Sequence, residues 1–136
     1  MQLTMLAIRK RDLDDVLRHV RSEAPIEGCG ILGGKDGRVL RVYRMSNIEQ
    51  SPERFFMDSA EMAQTIQDLY KEDLDIAGIY HSHLSGPAYP SQLDVERAHY
   101  PDACYVIISL EEPDSPQIRG FSIREGEIRE EQILLE

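Results

Sequence analysis

From Asp12 to about Glu23 the apolar residues Leu13, Val16, Leu17 and Val20 recur three and four positions apart, which predicts an amphipathic helix closed by Pro25. The pattern then changes to short apolar runs broken by glycine. Glu27-Gly-Cys-Gly-Ile-Leu-Gly33, a turn at Lys35-Asp36-Gly37 and a returning stretch from Val39 to Tyr43 predict a β-hairpin. Phe55-Phe56-Met57 reads as a further short strand, and Asp58 with Glu61 has the spacing of a capping box that opens a helix to about Lys71. Ile76-Ala-Gly-Ile-Tyr-His81 has the composition of a buried strand, and Ser91 opens a short helix through about His99. Strands are predicted at Cys104–Leu110, Gln117–Arg124 and Glu127–Ile133. Strands and helices are interleaved without strict alternation, so the predicted class is α+β with a mixed, curved sheet and about three helices.

Composition narrows the function classes. At 136 residues the chain is most simply one domain, residues 1–136, with enough length to bury a core. Hydrophobic residues make up 41% and charged residues 29%, the balance of a folded chain rather than a disordered one. The formal net charge of −10 argues against nucleic acid as partner, because a phosphate backbone calls for a basic face. No apolar run approaches the roughly 18 residues of a membrane span. The piece Leu3-Thr-Met-Leu-Ala-Ile8 precedes Arg9-Lys10-Arg11, the reverse of the charge order in a secretory signal, so a cytoplasmic location is expected. The two cysteines, Cys29 and Cys104, make no disulfide framework and read as small buried residues beside strand positions. A homodimer is left open.

The chemistry concentrates in His81-Ser-His-Leu-Ser-Gly-Pro-Ala-Tyr-Pro-Ser-Gln-Leu-Asp94, which holds two of the four histidines. On a strand, positions i and i+2 share a face, so His81 and His83 point the same way and can share one cation. Asp94 falls in the first turn of the next helix, where its carboxylate can reach the strand end. Two imidazoles, a carboxylate and one open position make up the donor set of a catalytic zinc site. Ser91-x-x-Asp94 is equally a helix-opening signal, with Ser91 as N-cap and an acid at the third helical position. The two readings are not exclusive.

His-x-His, seven residues, Ser, two residues, Asp, with Glu27 upstream in Pro25-Ile-Glu-Gly-Cys-Gly-Ile-Leu32, resembles the JAMM signature of the MPN+ (JAB1/MPN/Mov34) metal-dependent isopeptidases. The resemblance runs from the first helix to Cys104–Leu110 and implies an MPN/JAB1, cytidine-deaminase-like architecture. It implies Zn2+ held by His81, His83 and Asp94, Glu27 as general base, and Ser91 as hydrogen-bond donor to the oxygen that becomes negative. Leu84 stands where the family commonly carries Pro, while the Pro90-Ser91 pair is retained. His19 and His99 read as ordinary surface or core residues.

Without segments to spare around the site, the chain is similar to the compact prokaryotic members that cleave after the Gly-Gly tail of ubiquitin-like sulfur carriers. Such a tail could lie beside a sheet edge as an added strand. The partner implied is a ubiquitin-like or sulfur-carrier protein, with neither nucleic acid nor membrane. The alternative is a non-catalytic MPN-type interaction module, which usually lacks the metal ligands. A zinc nucleobase deaminase is disfavoured because its paired-cysteine pattern is missing, and a passive zinc-binding protein would not need Glu27.

Overall fold

The computed structural model describes residues 5–136. Its elements are β1 (Met5–Ile8), α1 (Lys10–Glu23), β2 (Cys29–Lys35), β3 (Arg38–Met45), α2 (Ser59–Lys71), β4 (Asp75–His83), α3 (Gln92–Glu96), β5 (Cys104–Ser109), β6 (Gln117–Arg124) and β7 (Glu127–Leu135). The α+β class and the three helices agree with the sequence. Among these elements, none is a helix long and apolar enough to cross a membrane.

The sheet is not merely curved. It closes on itself in the order β1-β3-β2-β4-β5-β6-β7. The closing stave is β1, which runs parallel to β7 from Met5↔Gln132 to Ile8↔Leu135 and touches β3 at Ala7↔Arg38. Leu6, Ala7 and Ile8 are all buried, so an apolar piece too short to announce itself as a strand fills the gap between two distant ones. Leu3 and Thr4 of that apolar piece lie outside the described residues.

Three further expectations change. Phe55-Phe56-Met57 is not a strand: Met57 alone makes an isolated bridge, to Asn47. The reason is the Asn47 side chain, whose oxygen accepts from Glu49 and Phe56 N–H (both 3.1 Å) while its amide donates to the Glu27 and Arg54 carbonyls (3.0 and 3.1 Å). One side chain thus satisfies the backbone groups a ladder would have used. Helix α3 stops at Glu96 rather than near His99, in keeping with Pro101, which biases the residue before it away from helix. At α2, Asp58 caps by accepting from Glu61 N–H, but the Glu61 carboxylate turns to Ser46 N–H and Oγ (2.6 and 2.7 Å) instead of completing the box.

The period-two pattern of the strands separates two cores. Leu32, Tyr80, Val106 and Ile108 face Val16 and Val20 of α1, whereas Cys29, Ile31, Ile79, Ile107 and Phe121 share the other face with Leu69 of α2. Tyr80 lies flat against Gly30 on the neighbouring strand, and its hydroxyl shares a 2.7 Å hydrogen bond with Nδ1 of buried His19 on α1. A Cβ at position 30 would fall 2.2–2.3 Å from the ring. The ring cannot retreat without giving up His19, so Gly30→Ala is expected to cost about 3 kcal/mol in chemical denaturation. An unchanged denaturation midpoint would mean the ring has room that this packing denies it.

Candidate metal centre

Strand β4 lies between β2 and β5, with His81 opposite Cys29 on one side and Ile107 on the other. Its backbone is therefore held from both edges. Alternation puts His81 and His83 on the face of Ile79. The antiparallel register Cys29↔His81 and Gly30↔Tyr80, continued two residues, brings Glu27 across from His83 on that same face. Gly28 fixes this continuation, since its N–H donates to Ser82 Oγ (2.9 Å) and its carbonyl accepts from Ser82 N–H (3.0 Å). Glu27 is only 3% exposed, and its Oε1 has no hydrogen-bond partner among the described residues.

Asp94 is delivered by the start of α3. Ser91 Oγ accepts from Asp94 N–H (3.1 Å) and Asp94 Oδ2 accepts from Ser91 N–H (2.9 Å), a reciprocal capping box. The same Oδ2 lies 3.2 Å from His81 Nε2 and 3.1 Å from His83 Nε2. Capping and convergence are thus served by one carboxylate. The connecting loop is anchored at both ends of its first turn: Leu84 packs against the α1-side core, and Ser109 Oγ donates to the Gly86 carbonyl (2.7 Å). Leu84, half-buried, makes this core contact at the position where the resemblance would place a proline.

The donors define what can sit between them. The Pro87 carbonyl, 2.9 Å from His83 Nδ1, can only accept, so Nδ1 carries the proton and Nε2 of neutral His83 offers a lone pair. His81 Nε2 lies 3.1 Å away, facing the same point as the Asp94 carboxylate. With their lone pairs turned to one point, these three groups could hold a shared cation. A tetrahedral ion with bonds of about 2.0–2.1 Å needs donors about 3.3 Å apart, near what is found, and two imidazoles plus a carboxylate suit a divalent transition metal.

The electrostatics agree. Burial pulls His83 down, but the Asp94 carboxylate and the Pro87 carbonyl outweigh it and leave its pKa raised. Burial dominates at His81, 1% exposed, and lowers its pKa although Asp94 opposes. Burial would raise Asp94, yet the hydrogen bonds and charges of both imidazoles hold it well below the usual carboxylate range. Glu27 is pushed up to about 8, chiefly by burial, with Asp94, Glu49 and Glu53 adding to the shift and His83 opposing it.

A cleft of about 310 Å³ opens on the Glu27 side, walled also by Glu53, His83, Tyr89, Pro90 and Ser91. Ser91 uses an oxygen lone pair for the cap and keeps its O–H to donate. All five residues singled out in the sequence therefore meet around one point or line the cleft beside it. His19 and His99 do not approach it. Both cysteines are buried and unbridged, Cys29 in the α2-side core and Cys104 in the α1-side core.

Sequence reasoning missed three contributors. Phe55 stacks on the His81 ring (centroids 4.5 Å apart, planes at 28°) and is itself held by Arg97, which donates to its carbonyl (2.7 Å). The Pro87 carbonyl sets the His83 tautomer, and Asn47 ties Glu27 to the loop that carries Phe55. A carbonyl leaves no mark in a sequence, and Phe55 was visible only as an apolar residue.

A family model described as prokaryotic homologs of the JAB domain matches residues 9–123. The chain is 36% identical over 131 residues to the CysO-cysteine peptidase of Mycobacterium tuberculosis, covering 95% of this chain and 90% of that protein. It is 33% identical over 116 residues to the probable TtuB-protein conjugate cleaving protease of Thermus thermophilus, covering 85% and 74%. Among solved structures, protein DSY2949 of Desulfitobacterium hafniense superposes with a TM-score of 0.88 at 40% identity, over 97% of this chain and 93% of that one. A JAB1/MPN domain protein of Archaeoglobus fulgidus shares the fold, with a TM-score of 0.58 at 18% identity over 95% and 99%.

Proposed function

The chain belongs to the family of prokaryotic JAB-domain homologs and is a hydrolase of the JAMM type, and from this we propose that it is a zinc-dependent peptidase that releases ubiquitin-like sulfur-carrier proteins from their conjugates. The observation that carries the reading is the convergence of three acceptors, His81 Nε2, His83 Nε2 and Asp94 Oδ2, beside a buried carboxylate with an unpartnered oxygen. These three side chains would hold the ion.

When bound, the ion supplies Lewis acidity and lowers the pKa of a coordinated water toward neutrality. Glu27 takes a proton from the attacking water and passes it to the departing amine. Ser91 donates its O–H to the carbonyl oxygen as charge develops there. Phe55 and the Pro87 carbonyl keep the two imidazoles from turning. Because β4 is paired on both sides, a Gly-Gly tail cannot add to it as an edge strand. It lies instead in the cleft, where the absence of side chains lets its backbone pass Glu27 and Ser91.

The test is cleavage of CysO and TtuB conjugates by the purified chain. Activity is expected to vanish on chelation and to return with zinc. Conjugates left intact with zinc supplied would make the chain an interaction module of the same fold.

A further inference from the structure

Helix α3 has to hold Asp94 against two imidazoles with little of its own to secure it. It has five residues, none of them buried, whereas an isolated helix needs about 12–15 residues to persist in water. The Ser91–Asp94 box fixes its first turn. At its other end stands Arg97, three residues beyond Asp94, with its N–H donating to the Leu93 carbonyl (3.0 Å). The Arg97 side chain reaches a segment 42 residues away in the chain. Its Nη1 donates to the Phe55 carbonyl (2.7 Å) and lies 2.9 Å from Glu49 Oε1, and its Cζ stands 5.8 Å from the centre of the Phe56 ring. Among the described residues, no other hydrogen bond or ion pair joins α3 to the loop between β3 and α2.

Both partners of Arg97 are themselves held. The Glu49 N–H donates to the Asn47 side chain (3.1 Å), and its second carboxylate oxygen lies 2.9 Å from Arg54 Nε. The residue after Phe55 is bound through its N–H to the same Asn47 oxygen (3.1 Å). The loop is thus a fixed support, and from it the Phe55 ring lies against His81. Phe55, Arg97, His81 and Asp94, with Leu93 and Tyr105, surround a cavity of only about 20 Å³ behind the converging donors. That is room for about one water, so a shift of α3 is felt at once by the His81–Phe55 stack. Arginine suits such a junction. Its flat guanidinium presents several N–H donors at fixed angles, so one side chain can hold a carbonyl and a carboxylate together, where an ammonium is a point charge on a flexible stem. Arg97 is neither a wall of the cleft nor one of the three donors, so it acts through them.

We propose that Arg97 is a positioning residue of the metal centre: bound to the Phe55 carbonyl and to Glu49, it ties the helix that carries Asp94 to the loop whose Phe55 stacks on His81, and so sets two of the three donors relative to each other. The inference rests on the metal-centre reading above.

The experiment compares the wild type with Arg97→Met, Arg97→Lys and Arg54→Met. The last removes the other cation beside Glu49 but no bond to α3 or to the Phe55 carbonyl. The readouts are the rate at which the zinc-loaded protein yields its metal to excess EDTA, the visible absorption spectrum of the protein loaded with Co2+ instead, and the melting temperature after the metal is stripped. Arg97→Met is expected to release zinc roughly tenfold faster or more, the usual worth of a group that orients metal ligands, and to alter the cobalt spectrum. Its kcat should fall while KM stays nearly unchanged, because the cleft is untouched. Arg97→Lys, which keeps the charge and one partner, should fall between. Arg54→Met should hold zinc as the wild type does, and the stripped variants should melt close to one another. Unchanged zinc release and cobalt spectrum in Arg97→Met overturn the positioning role, as does an equal loss in Arg54→Met. Should Arg97→Met fail to fold, Arg97→Lys is read in its place: faster zinc release supports the role and wild-type release overturns it. A wild type that takes up neither zinc nor cobalt overturns the metal-centre reading, and this inference with it.

Discussion

Glu27→Gln is expected to keep the fold and the metal and to lower kcat by about 10²–10⁴-fold, the usual worth of a positioned general acid–base. The amide fills the same volume, so nothing in the packing changes. Glu27 is not one of the three converging acceptors, so metal content should stay as in the wild type. Only the ability to carry a proton is lost. The same variant has a second signature once the metal has been stripped with a chelator. Burial pushes Glu27 up from 4.5 to about 8, so the folded chain binds its proton more tightly than the unfolded chain does. Stability from this group is therefore full below about 4.5 and drains away as pH rises toward about 8. Glutamine has no proton to lose. The stripped variant should thus melt above the stripped wild type at about pH 8, and the two curves should meet below about 4.5. A variant that turns over as fast as wild type would move the base to another residue.

His81→Ala is expected to lose metal and activity together. His81 is the most deeply buried of the three donors and the one stacked on Phe55, and alanine puts no donor in place of its nitrogen. The measurement is metal content after exhaustive dialysis, with about one equivalent in the wild type and essentially none in the variant. Asp94→Ala should do the same at an additional cost of about 1 kcal/mol, because it also removes an acceptor from the capping box of α3. Metal retained in His81→Ala at wild-type stoichiometry would place the ion away from these three side chains.

What could be read from the residues divides along the range of the interactions. His81 and His83 share a face because strands alternate, a rule two residues long. The Ser91–Asp94 box is three residues long and was equally visible. The placement of Glu27 depended on family resemblance, although the register shows the physical reason: β2 and β4 run antiparallel and continue to face each other past Cys29. The contacts that could not be read are those made by groups without sequence identity or by partners far apart in the chain. The Pro87 carbonyl is of the first kind. The Phe55 stack on His81 and the β1–β7 pairing are of the second, and no local pattern distinguishes four apolar residues that close a barrel from four that do not.

That last pairing shapes how the protein is made. Most staves of the barrel join neighbours in the chain, as in β2–β3, β5–β6 and β6–β7, and can pair while later segments are still being synthesised. Met5–Ile8 cannot find its parallel partner until Gln132–Leu135 exists. Until then Leu6 and Ile8 have the α1-side core and a single pairing with β3 to cover them, but no full neighbouring strand. Closure is then a late event, and its loop entropy falls due all at once. The partly closed sheet is thus most exposed to aggregation before β1 and β7 have paired.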